Sequence, residues 1–254
     1  MKVSARTLRF GIAIVAVAIV TGAIAIHQRR RSHQPRIVLW AWERPENLEF
    51  IDPREIAVAF LAKTVRLRAD ETIVKPRLQP LRFAPGTELI PVVRIETERP
   101  ALSQAQLEST CSAIRQLAQL ENIRAIQIDF DARESERSFY RELLKTLRPQ
   151  LPATMMLSMT ALASWCIHDD WLTGAPVDEA VPMLFRMGVD RDEVSGYVAS
   201  GREFRCGLCR NSLGVSTDEP LPQLQVKRVY AVYVFNPRPW SAAAVNEILR
   251  RWRQ

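Results

Sequence analysis

The segment AIQIDFDARE (residues 125–134) places two carboxylates, Asp129 and Asp131, two positions apart in a hydrophobic run. Side chains alternate along a β-strand, so both carboxylates point to the same face. Two carboxyl groups held close together push one pKa up, which leaves a protonated acid available at neutral pH and suits the pair to general acid–base chemistry. Asp131, nearer the C-terminal end of the strand, is the candidate acid, with Asp129 beside it. The competing reading is a buried polar knot in which Arg186, Ser158 or Thr160 satisfies the aspartates, because an aspartate is costly to bury without partners.

The elements that would position such a pair recur along the chain. Short apolar segments, most of them rich in β-branched or aromatic residues, lie at 37–42, 57–67, 88–96, 125–132, 154–162, 180–188, 212–217 and 229–236. Helical patterns fill some of the intervals. SQAQLESTCSAIRQLAQL opens with a Ser103/Gln106 capping box and aligns Leu107, Cys111, Ile114 and Leu117 on one face. SERSFYRELLKTLRP aligns Phe139, Leu143 and Leu147 and stops at Pro149, and a last helix after Ser241 buries Val245, Ile248, Leu249 and Trp252. Eight strands alternating with helices predict an α/β fold, a (β/α)8 TIM-barrel-like single domain over residues 37–254 with some abbreviated crossovers.

In such a barrel the working residues sit at the C-terminal ends of the strands and in the loops that follow. That rule selects Glu43, the Asp129/Asp131 pair, Thr160, Trp165, Arg186, Asp218 and Glu219 in STDEP, and Asn236, Arg238 and Trp240 in FNPRPW. Carboxylates, arginines and tryptophans around one rim suit carbohydrate handling. Glu219 or Asp218, at the end of the seventh strand, is the candidate catalytic partner across the mouth, as in retaining glycosidases with carboxyl groups about 5 Å apart. The blander account makes Asp218 a turn residue before Pro220 and leaves Glu219 solvated. Glu43, Trp165, Arg186, Asp218, Asn236 and Arg238 are the candidate substrate-binding residues. Trp40 and Trp42, opposite Glu43 on a regular strand, are expected in the core.

The formal charge of +7 does not mark a nucleic-acid surface. Seven of the 35 basic residues precede Glu43, the first acidic residue, leaving 28 of each sign in the remainder. The excess flanks an uncharged apolar run, so the N-terminus divides into a basic region (1–9), a transmembrane anchor or signal segment (10–26) and a basic linker (27–36). An uncleaved anchor is favoured over a signal peptide, although Ala23 and Ala25 form an A-x-A cleavage pattern. The barrel is expected on the periplasmic or extracellular side, with a cleaved, secreted form as the alternative. Among the four cysteines, Cys111 reads as a packed thiol and Cys166 as a loop residue, while Cys206 and Cys209 in CGLC read as a redox pair, half a zinc site or a loop thiol pair. No phosphate-cradling glycine motif, nucleophile elbow or zinc-protease helix occurs, and neither a cofactor nor a metal is expected.

The fourth segment, IQIDFDARESERSFYRELLKTLR, resembles the strand-four signature of family 18 glycoside hydrolases, the chitinase-like barrels, D-x-x-D-x-D-x-E. Asp129 and Asp131 match its two later aspartates, Ile126 stands at the first aspartate and Arg133 at the catalytic glutamate, with Glu134 one residue late. VPMLFRMG is similar to their sixth-strand segment. RIVLWAWERPENLEFI, VDEAVPMLFRMG, LGVSTDEP and VFNPRPWS together resemble the bacterial domain of unknown function family 3142, which implies a shared fold and no established activity. The expected function is a membrane-tethered or exported glycoside hydrolase-like barrel acting on a glycan or polysaccharide, with Asp131 as acid. The alternative is an inactive barrel that binds glycan or an envelope protein.

Overall fold

The computed structural model describes residues 36–220 and 229–252, so the N-terminal basic region, apolar segment and linker expected up to residue 35 lie outside the described residues. The strands, in chain order, are β1 (Arg36–Ala41), β2 (Glu46–Leu48), β3 (Ile56–Arg68), β4 (Glu71–Pro76), β5 (Leu81–Phe83), β6 (Leu89–Glu98), β7 (Ala125–Asp129), β8 (Met156–Leu162), β9 (Glu179–Met183), β10 (Ser212–Ser216) and β11 (Ala231–Phe235). The helices are α1 (Gln104–Arg115), α2 (Arg137–Leu147), α3 (Ala163–Ile167), α4 (Arg191–Ala199) and α5 (Ala242–Trp252).

Eight of these strands form a closed parallel barrel in the order β1-β3-β6-β7-β8-β9-β10-β11, with β1 hydrogen-bonded to both β3 and β11. They overlie the eight apolar segments of the sequence. Strands covered on both faces have no polar side to show, which is why they read as near-continuous hydrophobic runs. Among the described residues, the first two crossovers are abbreviated. A loop with β2 joins β1 to β3, and the β4 hairpin with β5 joins β3 to β6, without any α-helix in either. β4 runs antiparallel to β3, while β2 and β5 make a separate two-stranded sheet. Because β3 and β6 stay paired as far as Arg68 and Glu98, they rise with β4 beyond the barrel's C-terminal end as a wall beside its mouth.

The helical coat thickens on the other side. α1 carries the Ser103/Gln106 capping box, and its Leu107, Cys111 and Ile114 enter one continuous core with Phe139, Leu143 and Leu147 of α2 and the outward faces of β7 and β8. α5 buries Val245 and Ile248 against the outward residues of β1 and β11, while Leu249 and Trp252 are half-buried. Inside the barrel, alternation selects Val38, Trp40, Ala57, Ala59, Ile90, Val92, Ala125, Val181 and Tyr233. Polar groups also occupy the interior. The Trp40 indole donates to Gln127 Oε1 at 2.9 Å, Gln127 donates to Ser158, and the Tyr233 and Ser212 hydroxyls donate to Glu179. Each buried polar atom in this chain of contacts has a partner, so the barrel tolerates it. Among the described residues no helix is long and apolar enough to cross a membrane.

Candidate functional site

The inward face at the C-terminal end of the barrel opens into a cavity of about 340 Å³. Asp129 is the last residue of β7 and Asp131 follows two positions on, so alternation brings both to the cavity wall. Aromatic side chains make the facing surface. Trp40 lies at the floor, Phe185 and Phe235 stack in parallel with centroids 5.7 Å apart, and Trp42 meets Phe235 edge-on. An aromatic wall opposite two carboxyl groups is a surface able to stack on an apolar ring face while exchanging a proton with a polar atom.

Asp129 is buried. Its Oδ1 accepts from the Thr160 hydroxyl at 2.8 Å and its Oδ2 from Arg94 at 3.4 Å, the latter across the neighbouring strand at a position in direct register. Burial, reinforced by the Asp131 carboxylate, raises the Asp129 carboxyl to about 6 against the pull of Arg94 and Thr160. Asp131 reaches solvent, but the mouth encloses it enough that desolvation raises its pKa too, with Arg94 opposing. The two groups are coupled, so a proton near neutral pH belongs to the pair. Arg94 also contacts Glu96 at 3.2 Å, and its guanidinium lies 5.4 Å from the centre of the Trp42 ring. Glu96 in turn pairs with Arg66, so charges alternate from Asp129 up the strand wall.

Arg186 lines the cavity with its backbone in the left-handed region, φ 54°. Its guanidinium does not reach the aspartates. It binds Asp218 at 2.8 Å and Glu219 at 2.7 Å, its N–H donates to Glu219, and Arg191 holds the other Glu219 oxygen. Asp218 and Glu219 are absent from the cavity lining. The Ser216 hydroxyl and Arg186 hold Asp218 below the usual carboxylate range. Burial works upward on Glu219, but the Arg186 N–H and the two arginines outweigh it and hold it low. The partner of the aspartates is therefore Arg94 with Thr160, and the strand-seven acids form a separate ion-pair cluster on the rim.

The remaining sequence candidates stand elsewhere. Glu43 is exposed in the bend that follows β1 and accepts from the Leu78 N–H. Trp165 is 3% exposed in the outer core, edge-on to Trp171 and under the Arg137 guanidinium, so it offers no face to a ligand. Asn236 is buried, accepts from Thr217 and donates to the Pro239 carbonyl, and Arg238 is exposed with its carbonyl taken by Arg44. These contacts tie down the loop after β11. Trp42, expected in the core, is a half-buried cavity wall, and Trp40 is at once core and floor. Arg94, Phe185 and Phe235 were not singled out by the strand-end rule. Arg94 had a legible signal, a lone cation inside the apolar strand ELIPVVRIE.

Cys166 and the CGLC pair depart from expectation, while Cys111 is the packed helix thiol expected. Cys166 is in α3 rather than a loop, and it forms a disulfide with Cys209 across 43 residues, with Cα atoms 6.0 Å apart. Cys206 and Cys111 are free and buried, and burial raises the Cys111 thiol to about 11. Among the described residues no group of His, Cys, Asp and Glu could hold a metal ion.

No curated protein matches the chain. Among solved structures, a chitinase from Rhizomucor miehei is similar in fold, with 11% identity and a TM-score of 0.51, over 86% of this chain and 99% of that one. The spore cortex-lytic enzyme SleL of Bacillus cereus has 15% identity and a TM-score of 0.45, over 72% of this chain and 51% of its own. The chitinase domain of the spore coat protein CotE of Clostridium difficile has 12% identity and a TM-score of 0.40, over 70% and 57%. At such identities the first likeness speaks for the barrel alone. Residues 85–181, which include Asp129, Asp131 and Arg94, match the family model of a domain of unknown function (DUF3142), set in a barrel that resembles a chitinase in fold.

Proposed function

We propose that the protein is an exported or membrane-tethered glycoside hydrolase-like barrel acting on a glycan, with Asp131 as the proton donor and Asp129 as the carboxyl group that shares its proton. The observation that carries this reading is the pair itself, two carboxyl groups raised above their ordinary range on one wall of an aromatic-lined cavity. A raised carboxyl group is what proton donation to a glycosidic oxygen requires at neutral pH. Asp131 reaches solvent and so reaches a ligand, whereas Asp129 is held behind it by Thr160 and Arg94. Glu219 and Asp218 then act on Arg186, fixing a rim residue rather than the reacting atoms. Export is supported by the Cys166–Cys209 disulfide, a bond that persists in oxidising compartments, and by the apolar run at 10–26.

A second reading, a silent glycan- or protein-binding barrel, is favoured by one specific feature. Arg133, exposed and outside the cavity, occupies the place of the catalytic glutamate in the chitinase-like signature. One experiment separates the two. The protein and its Asp131→Asn variant are incubated with chito-oligosaccharides and cell-wall polysaccharides, and products are read by mass spectrometry. Cleavage lost in the variant supports the hydrolase. Binding without cleavage, equal in both, supports the silent barrel.

A further inference from the structure

We infer that Cys166, Cys206 and Cys209 form a thiol–disulfide exchange centre, in which Cys166 bonds alternately to Cys209 and to Cys206. The sulfur of Cys209 already bonds to Cys166. Cys206 is held against the same residue from the other direction, since its N–H donates to the Cys166 carbonyl at 3.3 Å. A backbone hydrogen bond of that kind brings the two residues within the Cα separation that a disulfide spans, about 4.4–6.8 Å. The turn Gly207–Cys209 then folds Cys209 back over Cys206, whose carbonyl accepts from the Cys209 N–H at 3.1 Å. Two candidate partners thus converge on one hub. Cys206 is 5% exposed and belongs to the same core as both bonded cysteines, so the nearest disulfide to its thiol is the one beside it.

The step needs no outside oxidant. The proton of the buried Cys206 thiol passes to the departing sulfur as the Cys206 thiolate attacks Cys166 Sγ, and a Cys166–Cys206 bond forms as the Cys166–Cys209 bond breaks. The electron pair leaves on Cys209 Sγ, which takes up a proton, so one thiol and one disulfide exist before and after. The exchange moves the staple three residues along the segment that feeds β10, while its other end stays on α3. That helix also presents Ala163 and Ser164 to the cavity. This inference does not depend on the glycan reading.

The test maps disulfides in the full chain after equilibration in a buffer of reduced and oxidised glutathione, with thiols trapped by N-ethylmaleimide and peptides read by mass spectrometry. The wild-type protein is expected to yield a Cys166–Cys206 peptide as well as Cys166–Cys209. Cys209→Ser is expected to yield Cys166–Cys206 with loss of alkylation at Cys206, and Cys206→Ser only Cys166–Cys209. Cys111, packed in α1, serves as the folding control. If it enters a linkage in Cys209→Ser, that variant has unfolded and the wild-type map alone decides. A Cys166–Cys206 bond present in neither chain overturns the inference.

Discussion

Two pairs of acids sit at the same end of this barrel and have opposite electrostatic fates. Asp129 and Asp131 on β7 line the cavity, are desolvated by it, and are raised. Asp218 and Glu219 after β10 lie outside the lining, are held by Arg186 and Arg191, and are lowered. Arginine is present at both places. The difference lies in stoichiometry and geometry. Arg94 is shared between Asp129 and Glu96 and reaches the aspartate at 3.4 Å, whereas Glu219 receives two guanidinium groups and a backbone N–H at 2.7 to 3.0 Å. A carboxylate given several short donors is fixed in its charged form, and one given a divided donor in a desolvated site holds its proton to higher pH.

The largest effect expected from this contrast is on turnover. On the proposed hydrolase reading, Asp131→Asn should lower glycan cleavage by about 10²–10⁴-fold, the usual range for a general acid, with the thermal midpoint little changed. Glu219→Gln should leave cleavage within a few-fold of wild type. Equal losses in both variants would place the two pairs in one machinery and break the comparison.

Stability against pH should come next in size, with opposite slopes for the two pairs. Asp129 in the folded chain titrates at about 6 against an ordinary 3.8, so the folded state binds its proton more tightly than the unfolded chain. Its contribution is therefore favourable below about pH 4, is lost as pH rises to about 6, and amounts to at most about 3 kcal/mol. Asp129→Asn should flatten that slope in urea denaturation measured between pH 4 and 7. The strand-seven pair, with depressed pKa values, contributes above the ordinary carboxylate range and loses its contribution as pH falls through its folded values.

Smaller effects complete the series. Trp42→Ala should weaken glycan binding by about tenfold, roughly the loss of a buried aromatic contact, measured by calorimetry. Glu219→Gln, which removes the charge of a carboxylate held by Arg186 and Arg191 with its side chain 10% exposed, should cost about 1 kcal/mol in unfolding free energy, and less in high salt.

The eight barrel strands were legible because burial on both faces writes itself as apolar runs, and α1 because a capping box is a local signal. β2, β4 and β5 were missed. They are short or exposed and carry polar residues, so nothing in their composition separates them from loops. The aspartate pair was legible from spacing alone. The rest of the rim was read less well, because the strand-end rule chooses a place along the axis and not a side. Glu43 and Trp42 are neighbours in the segment after β1, yet Glu43 is exposed and Trp42 lines the cavity. The disulfide was illegible for a different reason. Cys166 and Cys209 are 43 residues apart, and which cysteine of CGLC takes the partner depends on how α3 docks against the turn before β10.

Gly214, midway along β10, decides how deep the cavity goes. A Cβ there would lie 3.2 Å from the ring of Trp40 and 3.4 Å from the Pro182 carbonyl. The missing methyl group is the space into which the indole lies down across the barrel axis, bonded at its far side to Gln127. The barrel is consequently a cup and not a channel, closed from within by Trp40 together with the other inward side chains beneath it. Anything that enters must leave by the mouth through which it came, past Asp131 on the way in and again on the way out.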